Sequence, residues 1–374
     1  MMGRFIISGG GTGGHIFPAL AIANQLKKEI PDAEFFFIGA KGKMEMLRVP
    51  EAGYNIEGLE VFGIRRDFSW SGIKSNLKLP FVLFNTLRKA KQIIRSFKPD
   101  VVIGVGGYAS GPALRAAQTL KIPTIIQEQN SYPGKTNKWL SKKATTICVA
   151  YDGLERFFPK DKIVKTGNPV RSEIINYTPK LEEAYTFFGL EKNKKTLLII
   201  GGSQGAGSIN RAILAHIEDF KKMDGQVIWQ TGDLFYSANE AQLTTLQSQK
   251  IKIVPFIKRM DFAYSVADYI VSRAGALAIA ELAIVGAPTI LIPLPTAAED
   301  HQTANAKKLS EAGAALLLKD ADTMQNLYST IINLMNNNEK SKEMALKIKN
   351  FAKPDAIHKI IKEILAIPNR GATK

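Results

Sequence analysis

The chain is poor in cysteine, in histidine and in long apolar runs. One of its 374 residues is cysteine, Cys148, set inside an apolar run. That excludes a disulfide scaffold and a thiolate zinc site, and fits a reducing compartment. The four histidines (His15, His216, His301 and His358) are scattered and form no HExxH pair. No apolar stretch reaches the ~20 residues that span a bilayer. The N-terminus reads RFIISGGG, a strand running into a glycine loop, without the apolar core and cleavage site of a signal peptide. A cytoplasmic protein is expected. Acid is scarce in one half only. Residues 1–170 hold 25 Lys+Arg and 13 Asp+Glu, against 25 and 21 in residues 171–374, which together give the formal +16. A basic first half points to an anionic partner: nucleic acid, a phosphorylated substrate or an acidic membrane surface.

What is present is a two-domain length and enough apolar residues, 45%, to bury sizeable cores. Short β-rich runs alternate with helix-length segments. Strands are predicted near 4–8, 35–38, 54–59, 101–105, 124–127, 146–149 and 163–166. A second set is predicted near 196–200, 227–230, 251–254, 269–271, 289–292 and 315–318. Such alternation implies parallel sheets in βαβ units. Runs such as Leu197-Leu198-Ile199-Ile200 are continuously apolar, as strands covered on both faces are. The pattern restarts midway: RFIISGGGTGGHIFPALAIANQL and KTLLIIGGSQGAGSINRAIL both read strand, glycine loop, amphipathic helix. The expected architecture is two Rossmann-like doubly wound domains. One covers 1–167, completed by a C-terminal helix within 353–374; the other covers 168–352.

Three glycine loops follow predicted strands: Gly9 to His15 (GGGTGGH), Gly104 to Pro112 (GVGGYASGP) and Gly201 to Ser208 (GGSQGAGS). Glycine lets the backbone approach a ligand, and a helix N-terminus presents N–H groups and a positive dipole end to phosphate. Ligands of open α/β sheets bind at such carboxyl ends. A dinucleotide site is disfavoured although residues 9–14 satisfy GxGxxG, because the second strand ends Phe37-Ile38-Gly39-Ala40-Lys41 with no acid for a ribose. No GxxxxGK[ST] occurs. The only D-x-D, Asp320-Ala321-Asp322, precedes Thr323 and a helical pattern and reads as a cap or turn. No metal site and no cofactor is expected.

Seven motifs then occur in order: GGTGGH, GGYxSGP, Gln127-Glu128-Gln129-Asn130, Asn168-Pro169-Val170-Arg171, Gly201 to Ala206, Ser272 to Ala276 and Asp300-His301-Gln302. Over nearly the whole chain this resembles the bacterial peptidoglycan N-acetylglucosaminyltransferases that convert lipid I to lipid II. The resemblance implies a GT-B fold and inverting transfer from UDP-N-acetylglucosamine to an undecaprenyl-linked muramyl-pentapeptide. One departure is Gln127, where the family often has histidine; a neutral amide cannot titrate and is a poor general base.

The second domain is expected to hold the donor. Ser203 and Gln204 sit on the third glycine loop, where backbone N–H groups and a hydroxyl can meet a diphosphate. The resemblance implies that Glu281 bonds the ribose hydroxyls and that Ile257 frames the uracil through its backbone. It adds donor contacts along Ala276, Leu277, Ala278, Ile279 and Ala280, and at Thr12, Gly13, Gly14, Asn130 and Arg171. Gln302 can donate and accept, which suits sugar hydroxyls.

For the acceptor, the resemblance places Gly11, Thr12, His15, Gly106, Gly107, Tyr108 and Ser110 around the diphosphate and sugar. An inverting transfer needs a base for the attacking hydroxyl. His15, at a glycine-loop–helix junction, is held neutral by the positive helix end; the alternatives are that it caps the helix or binds diphosphate. Glu128 is the second candidate, as base or as the group that orients it. Nine basic residues lie from Arg65 to Lys98, opposed only by Asp67. Arg65, Arg66, Lys74 and Lys78 interleave with Trp70, Leu79 and Phe81 in a Gly/Ser/Pro-broken stretch, which reads as a peripheral anchor on an anionic phospholipid surface. Residues 83–94 read as a core helix with a charged outer face. No nucleic-acid module accompanies the basic residues. Attachment to the cytoplasmic side of the inner membrane, with the possible company of a cell-wall synthesis complex, is expected.

Overall fold

A computed structural model describes residues 3–61, 70–202, 205–297 and 300–367, without the side chains of residues 70–80. Arg65, Arg66, Ser203 and Gln204 lie outside the described residues, as do the side chains of Trp70, Lys74, Lys78 and Leu79.

The chain folds into two compact units, Met1–Val170 with Asp355–Lys374, and Arg171–Pro354. The first carries strands β1 (Arg4–Ser8), β2 (Glu34–Ala40), β3 (Asn55–Leu59), β4 (Val101–Gly104), β5 (Thr124–Glu128), β6 (Thr146–Val149) and β7 (Ile163–Lys165). They form one sheet in the order β3-β2-β1-β4-β5-β6-β7, and each pairing is parallel. The second carries β8 (Thr196–Ile200), β9 (Gln226–Gln230), β10 (Ile251–Val254), β11 (Tyr269–Arg273), β12 (Thr289–Ile292) and β13 (Leu316–Leu317). Its order is β10-β9-β8-β11-β12-β13, again parallel. The strands fall where the apolar runs predict them, because central strands covered by helices on both faces must be apolar at every position. β4 and β8 are buried throughout.

Each sheet reverses its winding at one place. β1 lies between β2 and β4, and β8 lies between β9 and β11. At such switch points the loops leaving adjacent strands part, and a crevice opens at the carboxyl ends. The loops at the two reversals are the glycine loops of residues 9–12 and 105–109 in the first unit, and in the second the loop that leaves β8 at residues 201–202 and re-emerges at 205–206, with residues 274–275.

On one face of the first sheet Ile6, Val102, Ile126 and Ile147 pack with Ala90, Ile94, Ala113 and Leu114. The last helix, Ala356–Leu365, buries Ile357, Ile360, Ile361 and Ile364. That i, i+3, i+4, i+7 stripe packs against the helix Gly13–Glu29. The second core gathers around Trp229, with Ile199, Val227, Ile253, Val271 and Phe220.

The basic segment differs from its sequence reading in two ways. The expected break is a single helix, Trp70–Phe97, running through Pro80; proline costs one backbone bond there without ending the helix. Leu83 and Phe84, expected in a core helix, are exposed beside Phe81, which is 71% exposed. Burial starts at Thr86, whose hydroxyl donates to Glu60 O at 2.6 Å; Ala90, Ile93 and Ile94 then enter the core.

Candidate functional site

In the first unit two glycine loops meet. After β1 the chain turns through Gly9-Gly10-Gly11-Thr12 into the helix Gly13–Glu29. Thr12 is extended, makes no side-chain cap, and accepts from His15 N–H at 3.1 Å and Ile16 N–H at 3.2 Å. Thr12 and Gly14 are exposed, Gly13 is buried and Gly11 half-buried. After β4 the second loop passes Gly106 (φ +95°) and Gly107 (φ +82°). A Cβ on Gly107 would collide with the Gly10 carbonyl, and one on Gly106 would sit 2.8 Å from the His15 imidazole. Only glycine lets the two loops close on each other at these dihedrals. Half-buried His15 therefore sits against Gly106 of the second loop, which also carries Tyr108, 64% exposed. Ser110 is buried and its hydroxyl donates to Gly107 O at 3.0 Å, so it shapes the loop from within.

Glu128 is enclosed at the end of β5. It is 1% exposed. Its Oε1 accepts from the Asn130 N–H (3.1 Å) and Nδ2 (3.3 Å), and its Oε2 from Gly134 N–H (3.3 Å) and Asn137 Nδ2 (2.8 Å). These bonds tie residues 130–137 to the end of β5 and fix Asn130. Burial raises its pKa, and the hydrogen bonds counter part of that rise. Behind the second loop Gln129 Nε2 donates to Val105 O (2.8 Å) and to the Gln127 side-chain oxygen, and Asn168 Nδ2 donates to Gln129 O (3.1 Å). Gln127 Nε2 donates to Asn168 Oδ1 at 3.2 Å. Gln127 is thus a buried member of an amide network.

In the second unit the loop after β8 passes Gly202 (φ +81°) and Gly205 (φ +76°) into the helix Gly207–Ala215. A Cβ on Gly205 would strike the Thr231 carbonyl. Gln230, at the end of β9, links this loop to Ile257: its Nε2 donates to Gly202 O (3.0 Å) and its Oε1 accepts from Ile257 N–H (3.2 Å). Asn210 Nδ2 donates to Thr231 O at 2.7 Å. Arg273, closing β11, donates to Asp320 Oδ1 (2.5 Å) and Ser208 Oγ (2.9 Å). Asp320, expected as a cap or turn, opens a short 3-10 turn and anchors that arginine.

The helix Ala276–Val285 starts at Gly275 without a side-chain cap, and its first internal bond is Ile279 N–H to Gly275 O at 2.9 Å. Ala276, Leu277 and Ile279 are buried; Ala278 and Ala280 are half-buried. Glu281, 7% exposed, pairs with Arg171 Nη2 at 3.1 Å and accepts from Tyr264 OH at 2.9 Å. Burial lowers the Arg171 pKa, but Glu281 and its neighbours outweigh that and hold it above the ordinary value. Burial, then Glu281, push the Tyr264 phenol well up. Gln302 accepts from Leu294 N–H at 2.9 Å. Sequence reasoning missed Glu45, Gln230 and Tyr264. Their partners lie 34, 27 and 17 residues away, a separation that carries no periodic signal. Among the described residues no cluster of three or more His, Cys, Asp or Glu could hold a metal, and no helix is long and apolar enough to cross a membrane.

Two doubly wound parallel-sheet units, each with glycine loops at its switch point, make up the GT-B fold. The chain belongs to glycosyltransferase family 28: the family's N-terminal domain model matches residues 5–149 and its C-terminal domain model residues 196–360. It is 51% identical over 366 residues to the UDP-N-acetylglucosamine–N-acetylmuramyl-(pentapeptide) pyrophosphoryl-undecaprenol N-acetylglucosamine transferase of Cytophaga hutchinsonii, covering 98% of this chain and 97% of that one. The enzyme of the same name from Parabacteroides distasonis is 49% identical, covering 97% and 98%. The crystal structure of Acinetobacter baumannii MurG superposes with a TM-score of 0.71 at 30% identity, covering 97% of this chain and 99% of that one.

Proposed function

We propose that the protein moves N-acetylglucosamine from UDP-N-acetylglucosamine to the C4 hydroxyl of the muramic acid of undecaprenyl-pyrophosphoryl-MurNAc-pentapeptide, with inversion. The observation that carries this reading is the 51% identity, over 98% of the chain, to a transferase of that name.

The second unit takes the donor. Glu281 has about four acceptor positions on its carboxylate and uses two on Arg171 and Tyr264; the others receive the ribose hydroxyls. The Ile257 carbonyl meets the uracil, its N–H being taken by Gln230. Gln302, accepting through its oxygen, donates to the sugar through Nε2. The helix start at Ala276–Ala280 and the loop carrying Ser203 and Gln204 bind the diphosphate, and Arg171 completes the donor contacts of this unit. The first unit takes the acceptor, with Gly11, Thr12, Gly106, Gly107 and Tyr108 around its diphosphate and sugar.

In the transfer, His15 takes the proton of the attacking hydroxyl. The oxygen bonds to the anomeric carbon, and the bond from that carbon to the diphosphate breaks. The extra charge on departing UDP is met by N–H donors and positive helix ends. The N-terminus of the helix Gly13–Glu29 disfavours imidazolium and keeps His15 able to accept the proton. Attachment is peripheral, on the cytoplasmic leaflet. The helix Trp70–Phe97 offers Phe81, Leu83 and Phe84 to the lipid, and its basic residues contribute roughly 1 kcal/mol each near an anionic surface.

The test is transfer to a short-chain lipid I analogue with UDP-N-acetylglucosamine, UDP-glucose and UDP-galactose in competition, with and without EDTA. N-acetylglucosamine transfer that survives EDTA is expected. No UDP release above background sinks the reading, and abolition by EDTA revives a metal role for Asp320 and Asp322.

A further inference from the structure

We infer that Glu45 is a positioning residue for acceptor transfer: its buried carboxylate fixes the first glycine loop and, through the paired loops, the seat of His15. This rests on the reading of that loop as the acceptor's seat.

Glu45 opens the short helix Glu45–Glu51 and is 0% exposed. Its Oε2 accepts from Gly11 N–H at 2.8 Å and its Oε1 from Ala40 N–H at 2.9 Å. One side chain thereby ties the loop after β1 to the end of β2. The carboxyl also fills the space that side chains at two glycines would need. A Cβ on Gly10 would overlap it, and one on Gly39 would lie 2.6 Å from its Cγ. The contact continues without slack, since Gly10 backs onto Gly107 and Gly106 onto the His15 imidazole. A displacement of Gly10 presses on Gly107 of the second loop, whose neighbour Gly106 backs onto His15, because packed interiors transmit strain.

The chemistry of the group matters. A carboxylate accepts at both oxygens, so it can hold two N–H groups at once. Glutamine must turn its own NH2 toward one of them, leaving donor against donor. A buried anion beneath a loop meant for a diphosphate works against binding by charge alone. Its contribution is therefore geometric, which a kinetic split can detect.

The experiment uses the full chain with Glu45→Gln, Glu45→Asp and Gly11→Ala. It reads acceptor kcat/KM with a lipid I analogue, UDP affinity by calorimetry, and amide exchange of residues 9–12. For Glu45→Gln the expected result is a loss of tenfold or more in acceptor kcat/KM, UDP affinity within twofold, and faster exchange at Gly11. Glu45→Asp, which keeps the charge but withdraws both oxygens by one methylene, falls between parent and Gln and serves if Gln fails to fold. Acceptor kcat/KM within twofold in both Glu45 variants, while Gly11→Ala is impaired, overturns the inference alone. An equal loss of UDP affinity also overturns it, since the role would then be general stability. A silent Gly11→Ala overturns instead the placement of the acceptor on that loop.

Discussion

The two units solve the same structural problem with different chemistry. Each must hold glycine loops rigid at the reversal of a parallel sheet. The first does so with a buried carboxylate and an amide network: Glu45 gathers the N–H groups of Gly11 and Ala40, and Gln129 donates to Val105 O behind the second loop. The second uses neutral amides, Gln230 and Asn210, and an arginine already paired with Asp320. Uncompensated burial of a carboxylate is costly, and several N–H donors offset that cost. The first unit therefore depends on intact N–H geometry around Glu45 and, through Glu128, on pH, whereas the second depends on amide orientation and one ion pair.

The largest effect on ligand binding that separates the units is expected at Glu281. Glu281→Ala removes the proposed ribose contact and leaves Arg171 without its carboxylate, so UDP affinity should fall by about 2 kcal/mol, ~30-fold. Calorimetry with UDP checks it, and unchanged affinity would move the nucleotide elsewhere. Next come the glycines. Gly107→Ala meets the Gly10 carbonyl at a left-handed φ, a cost of about 3 kcal/mol. Gly202→Ala has a similar dihedral in open space and should cost ~1 kcal/mol. Thermal melts that rank them equally would show that the tight loop pairing of the first unit contributes nothing.

The smallest effect is a pH slope. Burial raises the Glu128 pKa above its ordinary value, so in that window the folded chain holds more protons than the unfolded one. Unfolding free energy then falls as pH climbs from the ordinary carboxylate value through the raised one. Glu128→Gln should flatten that part of the curve in denaturant titrations across pH. A parent curve that rises there would contradict the burial argument.

Much of the fold was legible because its physics is local. The strands announce themselves as short apolar runs, and the doubled strand–glycine–helix pattern exposes the two sheets. The stretch through Pro80 was not legible, since a proline after a helical start can be carried as well as it can break the helix. Leu83 and Phe84 looked like core residues because periodicity cannot say where a helix first touches its sheet. Of the candidate site, the loops and the glutamate on an apolar helix are visible as motifs. Glu45 is not. It sits among Lys43, Met44 and Met46, and its significance arises only when β1 and β2 pair and bring Gly11 to it. The cage of four donors around Glu128 is likewise a tertiary fact.

If each unit serves one substrate, with His15 acting on the acceptor, then His15→Ala must separate chemistry from nucleotide binding. Turnover and UDP affinity are measured on the same preparation. General base catalysis contributes ~10²–10⁴-fold, so turnover should fall by at least ~100-fold while UDP binding stays within twofold of the parent. A UDP affinity that falls as far as turnover, or turnover that persists, would contradict the division of labour between the units.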